Sequence, residues 1–375
     1  MKRLFDWIER LLAAAWQRGL QSAEVDTASL VITRVAFGMF ILFVSTPYFG
    51  WISDAPQGLF EPPILSISSL IDDFPSATAF LVWDIAVPLL AVCIILGIKT
   101  RAACLLMVGG NLLASGFAYS FGKIDHDVLY KIAPACLAFT NWGTRYAVMP
   151  DRNLSKLSQD SATLVLAILI AFGFFTAGLE KAYVWIDFNT GTSGFLSWFY
   201  SGYFTLGRQS LLAPLVLKVP PEWFELADYS AVAFEVSGLV FLLLGIRYWQ
   251  AWLLVACLFH LLNTLLLNIP FVEHGVIYAV FLIPPVLKIK GIRTSIEYFR
   301  VRRVLLPIAL IPVIIAICHI TQRIRSGGSE YFLIEDIGWS RQVNLYFSMI
   351  FWLFIFMIAT FAWWREKFKY DTSPR

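Results

Sequence analysis

Lys181 is the residue whose type and position best suit acid–base chemistry. It closes a long apolar run, in the stretch Ala177-Gly178-Leu179-Glu180-Lys181. A charged lysine is costly to hold at membrane depth, and burial favours the neutral amine, which can accept a proton. The position therefore makes Lys181 a candidate functional residue. Two alternatives stay open: a lysine at a helix end whose ammonium reaches the lipid headgroups, and an ion pair with Glu180 that keeps the amine charged.

Further polar side chains stand within or at the ends of apolar runs, where no solvent-exposed face explains them. His260 and Asn263 are three residues apart, so on a helix they share a face and either line a site or form an interhelical hydrogen bond. His126, between two aspartates, is either a reactive group or part of a helix cap. We interpret Arg34 and Asp84 as a buried structural pair. The set comprises Arg34, Asp84, His126, Glu235, His260 and Asn263.

Several other kinds of site have no support in the sequence. The four histidines are scattered and no HExxH occurs, so we predict no metal. No GxSxG, P-loop or dinucleotide fingerprint is present. The net charge is only +3 and the basic residues lie in short loops, which argues against nucleic acid as a partner. The five cysteines fall within apolar runs without CxxC spacing.

The elements that must position these side chains are membrane-spanning helices. Apolar residues make up 58% of the chain and charged residues 15%, and the mean hydropathy is +0.70. This composition is typical of a chain solvated by a lipid bilayer. Because a span needs about 20 apolar residues, we predict an all-α, polytopic transmembrane helix bundle of about ten spans. They lie near 28–49, 77–98, 102–121, 127–143, 162–184, 227–245, 248–268, 273–289, 304–322 and 342–363.

Residues 1–22 are predicted to form an amphipathic helix on an anionic membrane surface. Apolar residues recur there at helical spacing against basic ones. We place a main transmembrane domain at 28–290 and two additional C-terminal helices in 291–375.

Lysine and arginine predict the orientation, because cytoplasmic loops are enriched in them. They precede the first predicted span and follow the second, fourth, sixth, eighth and tenth, which predicts cytoplasmic N and C termini in a plasma membrane, the inner membrane of a bacterium. Arg323 and Arg325 are the exception, since this topology places them outside.

With this orientation, His126, Lys181, His260 and Asn263 fall in the outer half of the bundle, and Glu235 lies deeper. We therefore expect one cavity that opens outward. Gly173 and Ala177 lie at spacings of four beneath Lys181 and are expected to admit another helix. The loops 50–76 and 185–226 are long and rich in aromatic residues, and we expect them to form a lid.

Several segments together resemble the horizontally transferred transmembrane domain (HTTM) family, which includes the vitamin K-dependent gamma-glutamyl carboxylase. The order and spacing of the segments agree over roughly residues 28–290. They are Phe174-Phe175-Thr176-Ala177-Gly178-Leu179-Glu180-Lys181 with Trp185, Phe259-His260-Leu261-Leu262-Asn263 before Asn268-Ile269-Pro270-Phe271, Asp125-His126-Asp127 with the later Asn141-Trp142-Gly143-Thr144-Arg145-Tyr146, Phe234-Glu235-Val236-Ser237-Gly238, and Arg34 with Gly38.

The resemblance implies a membrane enzyme that uses a reduced quinone similar to vitamin K hydroquinone, with O2 and CO2, to modify or mature a small secreted peptide or protein. By motif, Lys181 would be the base and His126 a group that orients or protonates the reacting species. The residues that would line the cavity are Glu235, His260, Asn263, Glu180 and Arg34.

The sequence also departs from the carboxylase pattern. Glu180 replaces the first lysine of the family pair, and Ala182-Tyr183-Val184 intervene before Trp185. After residue 290, where the carboxylase has a large luminal domain, we expect only loops and two further spans. The chain also resembles, in size, the sporulation-delaying-protein maturation family. The alternative is a non-enzymatic binding, immunity or transport component of such a peptide-toxin system.

Overall fold

The computed structural model describes residues 2–122, 127–187, 189, 191–288, 302–325 and 341–371. The regular elements of these residues are helical apart from one isolated bridge between Ile98 and Met149. The prediction of an all-α chain is therefore confirmed for this part of the protein. The α-helices are α1 Lys2–Ser22, α2 Thr27–Phe43, α3 Ala77–Leu96, α4 Thr100–Ala118, α5 Val128–Ala138, α6 Lys156–Trp185, α7 Gly194–Tyr200, α8 Ala213–Val216, α9 Glu222–Leu244, α10 Ile246–Leu262, α11 Val272–Leu287, α12 Arg302–Arg325 and α13 Arg341–Asp371.

Short helical turns of other kinds complete these elements. Four are 3-10 turns and two are π-helical turns. They are Gly50–Asp54, Gln57–Leu59, Ile67–Leu70 and Tyr119–Phe121, and then Ser201–Thr205 and Asn263–Leu267.

Six helices of the described chain are long and apolar enough to cross a membrane, or seven if Phe5–Ser22 and Thr27–Phe43 form one broken span. Six of the predicted spans coincide with these six helices. The predicted spans near 127–143 and 273–289 correspond to the shorter apolar helices α5 and α11, and the one near 304–322 lies on α12. These helices support a helical membrane protein, while the total of about ten spans stays a prediction. The six helices are Ala77–Leu96, Thr100–Phe121, Lys156–Trp185, Glu222–Leu244, Ile246–Leu267 and Gln342–Arg365.

Polar side chains cap the N-termini of two apolar helices, α2 and α3. Asp26 accepts the Ser29 backbone N–H at 3.0 Å before α2, and Ser76 accepts that of Ala79 at 3.3 Å before α3. Gly97 ends α3 in the left-handed region, with φ of 69°. A Cβ there would lie 2.5 Å from the Cβ of Ala147, so glycine permits this close turn.

The chain divides into two compact units. Unit 1 comprises residues 1–24, 163–286 and 340–375, and unit 2 comprises residues 25–162 and 287–339. Unit 1 therefore contains α1, α7 to α11, α13 and most of α6. Unit 2 contains α2 to α5 and α12.

In unit 2 the predicted pair of Arg34 and Asp84 is wrong. The Arg34 guanidinium donates to the carbonyls of Trp142, Arg145 and Tyr146, at 3.0, 3.2 and 2.6 Å. Asp84 instead accepts backbone N–H bonds from the turn after α2, and its charged neighbour is Arg323. Each group satisfies main-chain atoms of a different loop, which no spacing along the sequence indicates.

Arg323 is a buried counter-charge of unit 2. Its guanidinium carbon lies 3.8 Å from the centre of the Tyr48 ring, and Asp84 is within electrostatic range. One turn earlier on α12, His319 Nε2 bonds to the carbonyl of Leu42 at 2.7 Å. This burial explains why Arg323 departs from the charge pattern of the loops.

In unit 1 the long 185–226 loop is helical and anchored at several points. Asp228 on α9 accepts the backbone N–H groups of Gly194 and Phe195, both at 2.9 Å, and so caps α7. Asn268 exchanges two hydrogen bonds with the main chain of Ser210, at 2.8 and 3.0 Å. Phe199 belongs to a buried cluster that holds the loop to α9 and the end of α10. Whether the loop acts as a lid stays a prediction.

Candidate functional site

Lys181 lies in the last two turns of α6, and its Nζ forms an ion pair with Oε1 of Glu235 on α9. The lysine side chain is 24% exposed and the glutamate side chain 2%. Glu180 is exposed and is not the partner, so the alternative of a Glu180–Lys181 pair is wrong. Neighbours on a helix point away from each other by about 100°, which directs Glu180 outward when Lys181 faces α9.

A glycine allows the two helices to approach at this level. A Cβ on Gly178 would lie 2.7 Å from the Cβ of Glu235 and 3.0 Å from Cγ1 of Val236. Gly173, which the sequence spacing favoured as the contact, has no atom within 4 Å of its Cβ position. The prediction of a close helix approach is confirmed at Gly178 and is wrong for Gly173, while the part assigned to Ala177 stays a prediction.

Aromatic faces surround the lysine. Nζ lies 5.4 Å from the centre of the Trp185 ring and 5.8 Å from that of Phe259, distances at which a cation is attracted by a ring face. Trp185 is held by the 185–226 loop, because Gly194 packs against it so closely that a Cβ would lie 2.1 Å from its ring. The loop thus positions one wall of the site.

His260 is buried in the interior of unit 1. Its Nε2 is 3.0 Å from the hydroxyl of Tyr278, and its ring stacks on Trp352 with centroids 4.7 Å apart. His274 lies 5.0 Å away between ring centres. Trp352 is fixed in turn by a bond from its Nε1 to the carbonyl of Pro270. The imidazole is therefore ordered by groups from α11 and α13, and the turn between α10 and α11 fixes Trp352 beside it.

Two phenylalanines join the ion pair to the imidazole. Phe259 faces Lys181 and lies 5.7 Å from the His260 ring. Phe174 lies 6.1 Å from Phe259 and 5.7 Å from His260. Lys181 and Glu235 are thus in direct contact, and His260 is separated from them by the Phe259 ring, so a site shared by all three stays a prediction.

The remaining predicted residues are placed differently. Asn263 is half-buried at the start of the π-helical turn, where its carbonyl accepts the N–H groups of Asn268 and Ile269. Arg34 belongs to unit 2 and serves the loop carbonyls described above, so its predicted place in the cavity has no support. His126 lies outside the described residues, and its predicted role stays a prediction.

Sequence reasoning missed a second acidic feature of α9. Glu225, Asp228 and Glu235 are all buried, and their spacing of three and seven places them on one stripe of the helix. Neither carboxylate oxygen of Glu225, nor Oε2 of Glu235, has a hydrogen-bond partner among the described residues. The spacing is visible in the sequence. However, Glu225 shares the first turn of α9 with the exposed Glu222, and the two together look like a solvated helix start.

Tyr278, Trp352 and His274 were also missed. An aromatic residue in an apolar span carries no signal by itself, and Trp352 is 92 residues from His260 in the sequence. Among the described residues, no group of three or more His, Cys, Asp or Glu side chains could hold a metal ion.

Comparison with known proteins adds no relative. No protein-family model, curated protein or solved structure matches this chain. The class supported by the fold is a helical membrane protein, and its candidate site contains an ion pair between the partly exposed Lys181 and the buried Glu235.

Proposed function

We propose that this protein is an integral membrane enzyme that uses Lys181 as a base, with a reduced quinone, to modify or mature a peptide at the outer face. The proposal rests on one observation above all. A lysine–glutamate pair lies between two apolar helices under aromatic rings, and one of its carboxylate oxygens is buried with no hydrogen-bond partner among the described residues.

This pair can take up one proton from a ligand. In an apolar site the ion pair and the neutral amine–carboxylic acid pair are closer in free energy than in water, because desolvation penalises both charges. In the neutral form the proton goes to Nζ of Lys181. In the charged form it goes to the free Oε2 of Glu235. Either way the site gains one positive charge, which stabilises negative charge developing on the ligand.

The surroundings fit a quinone headgroup. Trp185 and Phe259 offer ring faces to a flat aromatic ligand, and Lys181 and Glu235 supply a donor and an acceptor at the edge of those faces. When bound, a reduced quinone would supply the electrons that activate oxygen. The protein would bind and orient the ring, accept the proton at the pair and keep water away from it.

His260 and Tyr278 would then serve as a second proton-holding pair. The 3.0 Å bond between His260 Nε2 and the Tyr278 hydroxyl allows the imidazole to give or take a proton at that atom. Stacking on Trp352 fixes the plane of the ring. The tautomer of His260 is therefore governed by the Tyr278 hydroxyl at Nε2 and by the group that contacts Nδ1.

The decisive experiment compares wild type with Lys181→Met in membranes supplied with a reduced quinone. We expect wild type to contain extractable quinone and to consume oxygen when the reduced quinone is added, and Lys181→Met to lose the oxygen consumption by at least about 100-fold, as expected for removal of a general base. Lys218→Ala removes an exposed lysine in the 185–226 loop and serves as the matched control. Unchanged consumption in Lys181→Met would refute the role of the lysine.

The ion pair itself favours a second candidate function, a non-enzymatic binding or transport protein of a peptide-toxin system. A charged lysine compensated by a buried glutamate is a common device for gating or binding in a membrane. This candidate predicts that Lys181→Arg keeps most of the function and that no quinone is bound. The same quinone extraction therefore separates the two functions.

A further inference from the structure

The loop between α2 and α3 exposes a set of aliphatic side chains that no part of the described chain covers. Ile64 is 91% exposed, Leu65 100% and Leu70 83%. Ile67 and Ile71 are exposed as well. Five exposed large aliphatic side chains within eight residues of a folded protein mark a segment that an apolar phase or a partner covers.

The base of this loop is closed and fixed. Gln57 and Phe74 exchange two hydrogen bonds, Nε2 to the Phe74 carbonyl at 3.3 Å and the Phe74 N–H to Oε1 at 2.8 Å. Phe74 also packs into a buried aromatic cluster with Phe117 and Phe80. The exposed side chains therefore extend from an anchored loop with a defined conformation.

The loop is attached to the side of a spanning helix, below its end. The Ser68 hydroxyl donates to the carbonyl of Leu113 at 2.7 Å. Leu113 precedes the last residue of the span, Phe121, by eight residues, which is ~12 Å along a helix axis. Gly116 makes the contact possible, because a Cβ there would lie 2.0 Å from the Ser68 hydroxyl oxygen. The exposed aliphatic groups thus lie at the depth of the span's outer part, given the predicted orientation.

Several polar atoms of the loop form hydrogen bonds within it, as an apolar environment favours. Pro62 and Pro63 carry no backbone N–H. The hydroxyls of Ser66 and Ser69 donate to the carbonyls of Pro63 and Ser66, both at 2.7 Å. The backbone N–H groups of Ser66, Ser69 and Ile71 bond to the carbonyls of Pro63, Ser66 and Ser68. Charged side chains occur only at the two ends of the segment, at Glu61 and at Asp72-Asp73.

We propose that residues 62–71 form a lipid-immersed loop, whose aliphatic side chains contact the acyl chains of the membrane leaflet beside α4. Depth along the span, the internal hydrogen bonds of the serine hydroxyls and the lack of charged side chains within the segment favour lipid. A protein partner is less consistent with the composition, because the centres of protein interfaces are enriched in aromatic residues, methionine and arginine, and this segment has none. The inference needs only the membrane class of the protein and is independent of the proposed quinone chemistry.

Photo-crosslinking in native membranes tests the proposal. The photoreactive amino acid p-benzoylphenylalanine replaces Leu65 in one variant and Leu70 in another, and both positions are exposed enough to accept it. After irradiation we expect the peptide that carries the probe to gain the mass of a phospholipid. The same probe at Asp187, an exposed polar residue of the other long loop, is the control and is expected to yield no lipid adduct.

Two outcomes would overturn the proposal. A crosslink from position 65 or 70 to a second copy of this chain, or to another protein, would make the loop a protein interface. Absence of any lipid adduct, together with quenching of an environment-sensitive label at these positions by a membrane-impermeant quencher, would place the loop in water. The Leu65 and Leu70 variants report independently, so a folding defect in one leaves the other interpretable.

Discussion

Lys181 and Glu235 form an ion pair that replaces part of the hydration of each charge, Lys181 from the end of α6 and Glu235 from within α9. Lys181 keeps some contact with solvent, whereas Glu235 is almost fully enclosed. Removing one partner of a buried pair leaves the other without compensation, which costs more than the pair contributes. The two residues therefore form one unit in any account of stability or chemistry, and a single substitution measures both effects together.

Comparison of a single and a double variant separates the effect of this pair on stability from its effect on activity. Lys181→Met is expected to lower the free energy of unfolding by up to about 3 kcal/mol, because Glu235 is left without its cation. Lys181→Met with Glu235→Leu should recover most of that loss while remaining inactive. Thermal unfolding in detergent measures the first effect, and oxygen consumption the second. Equal stability of the single and double variants would argue that Glu235 needs no partner.

At the scale of elements, α6 and α9 form the framework of the candidate site. Gly178 sets their separation at the level of the ion pair, and Gly194 fixes Trp185 over the lysine. The turn after α10 adds Asn268, which fastens the 185–226 loop. The site depends on these close contacts between helices and loop as much as on the reactive side chains.

The same substitution at two glycines of α6 should have opposite effects. Gly178→Ala is expected to destabilise the protein by about 1–3 kcal/mol, because the added methyl group would clash with Cβ of Glu235 and Cγ1 of Val236. Gly173→Ala has open space and should stabilise it by up to about 1 kcal/mol through helix propensity. Unfolding of both variants in one detergent provides the comparison. Two effects of equal sign would contradict the close approach at Gly178.

At the scale of the whole molecule, apolar helices and flanking basic residues predict how the chain lies in the membrane. The described helices include six long enough to cross, and Lys and Arg concentrate in alternate loops. Arg323 is an exception because it is buried in unit 2 against Tyr48. A buried arginine does not report on the side of the membrane, but Arg325 is exposed and stays an exception to the predicted topology.

Reporter fusions test this orientation. Green fluorescent protein fused after Arg375 should fluoresce, because that end is predicted to be cytoplasmic. Alkaline phosphatase inserted after Asn189 should be active, because the 185–226 loop is predicted to lie outside. The reverse insertion, phosphatase after Arg152, is the control and should be inactive. An active enzyme after Arg152 would invert the predicted topology and move the candidate site to the cytoplasmic face.

The sequence by itself determined the class of fold. Long apolar runs with few charges must satisfy their backbone groups locally, and helices do so within one segment. For the same reason, polar residues inside such runs were visible as exceptions, which identified Lys181, Glu235 and His260 before any contact was known. That part of the site follows from composition and spacing along single helices.

Only the tertiary structure decided which of these residues meet. Glu235, and not Glu180, pairs with Lys181, and Asp84 lies near Arg323 rather than Arg34. Tyr278 and Trp352 join His260 from distant parts of the chain. The physical reason is that periodicity fixes the face on which a side chain lies, whereas the rotation and height of one helix against another depend on packing across the interface, as the contact at Gly178 illustrates.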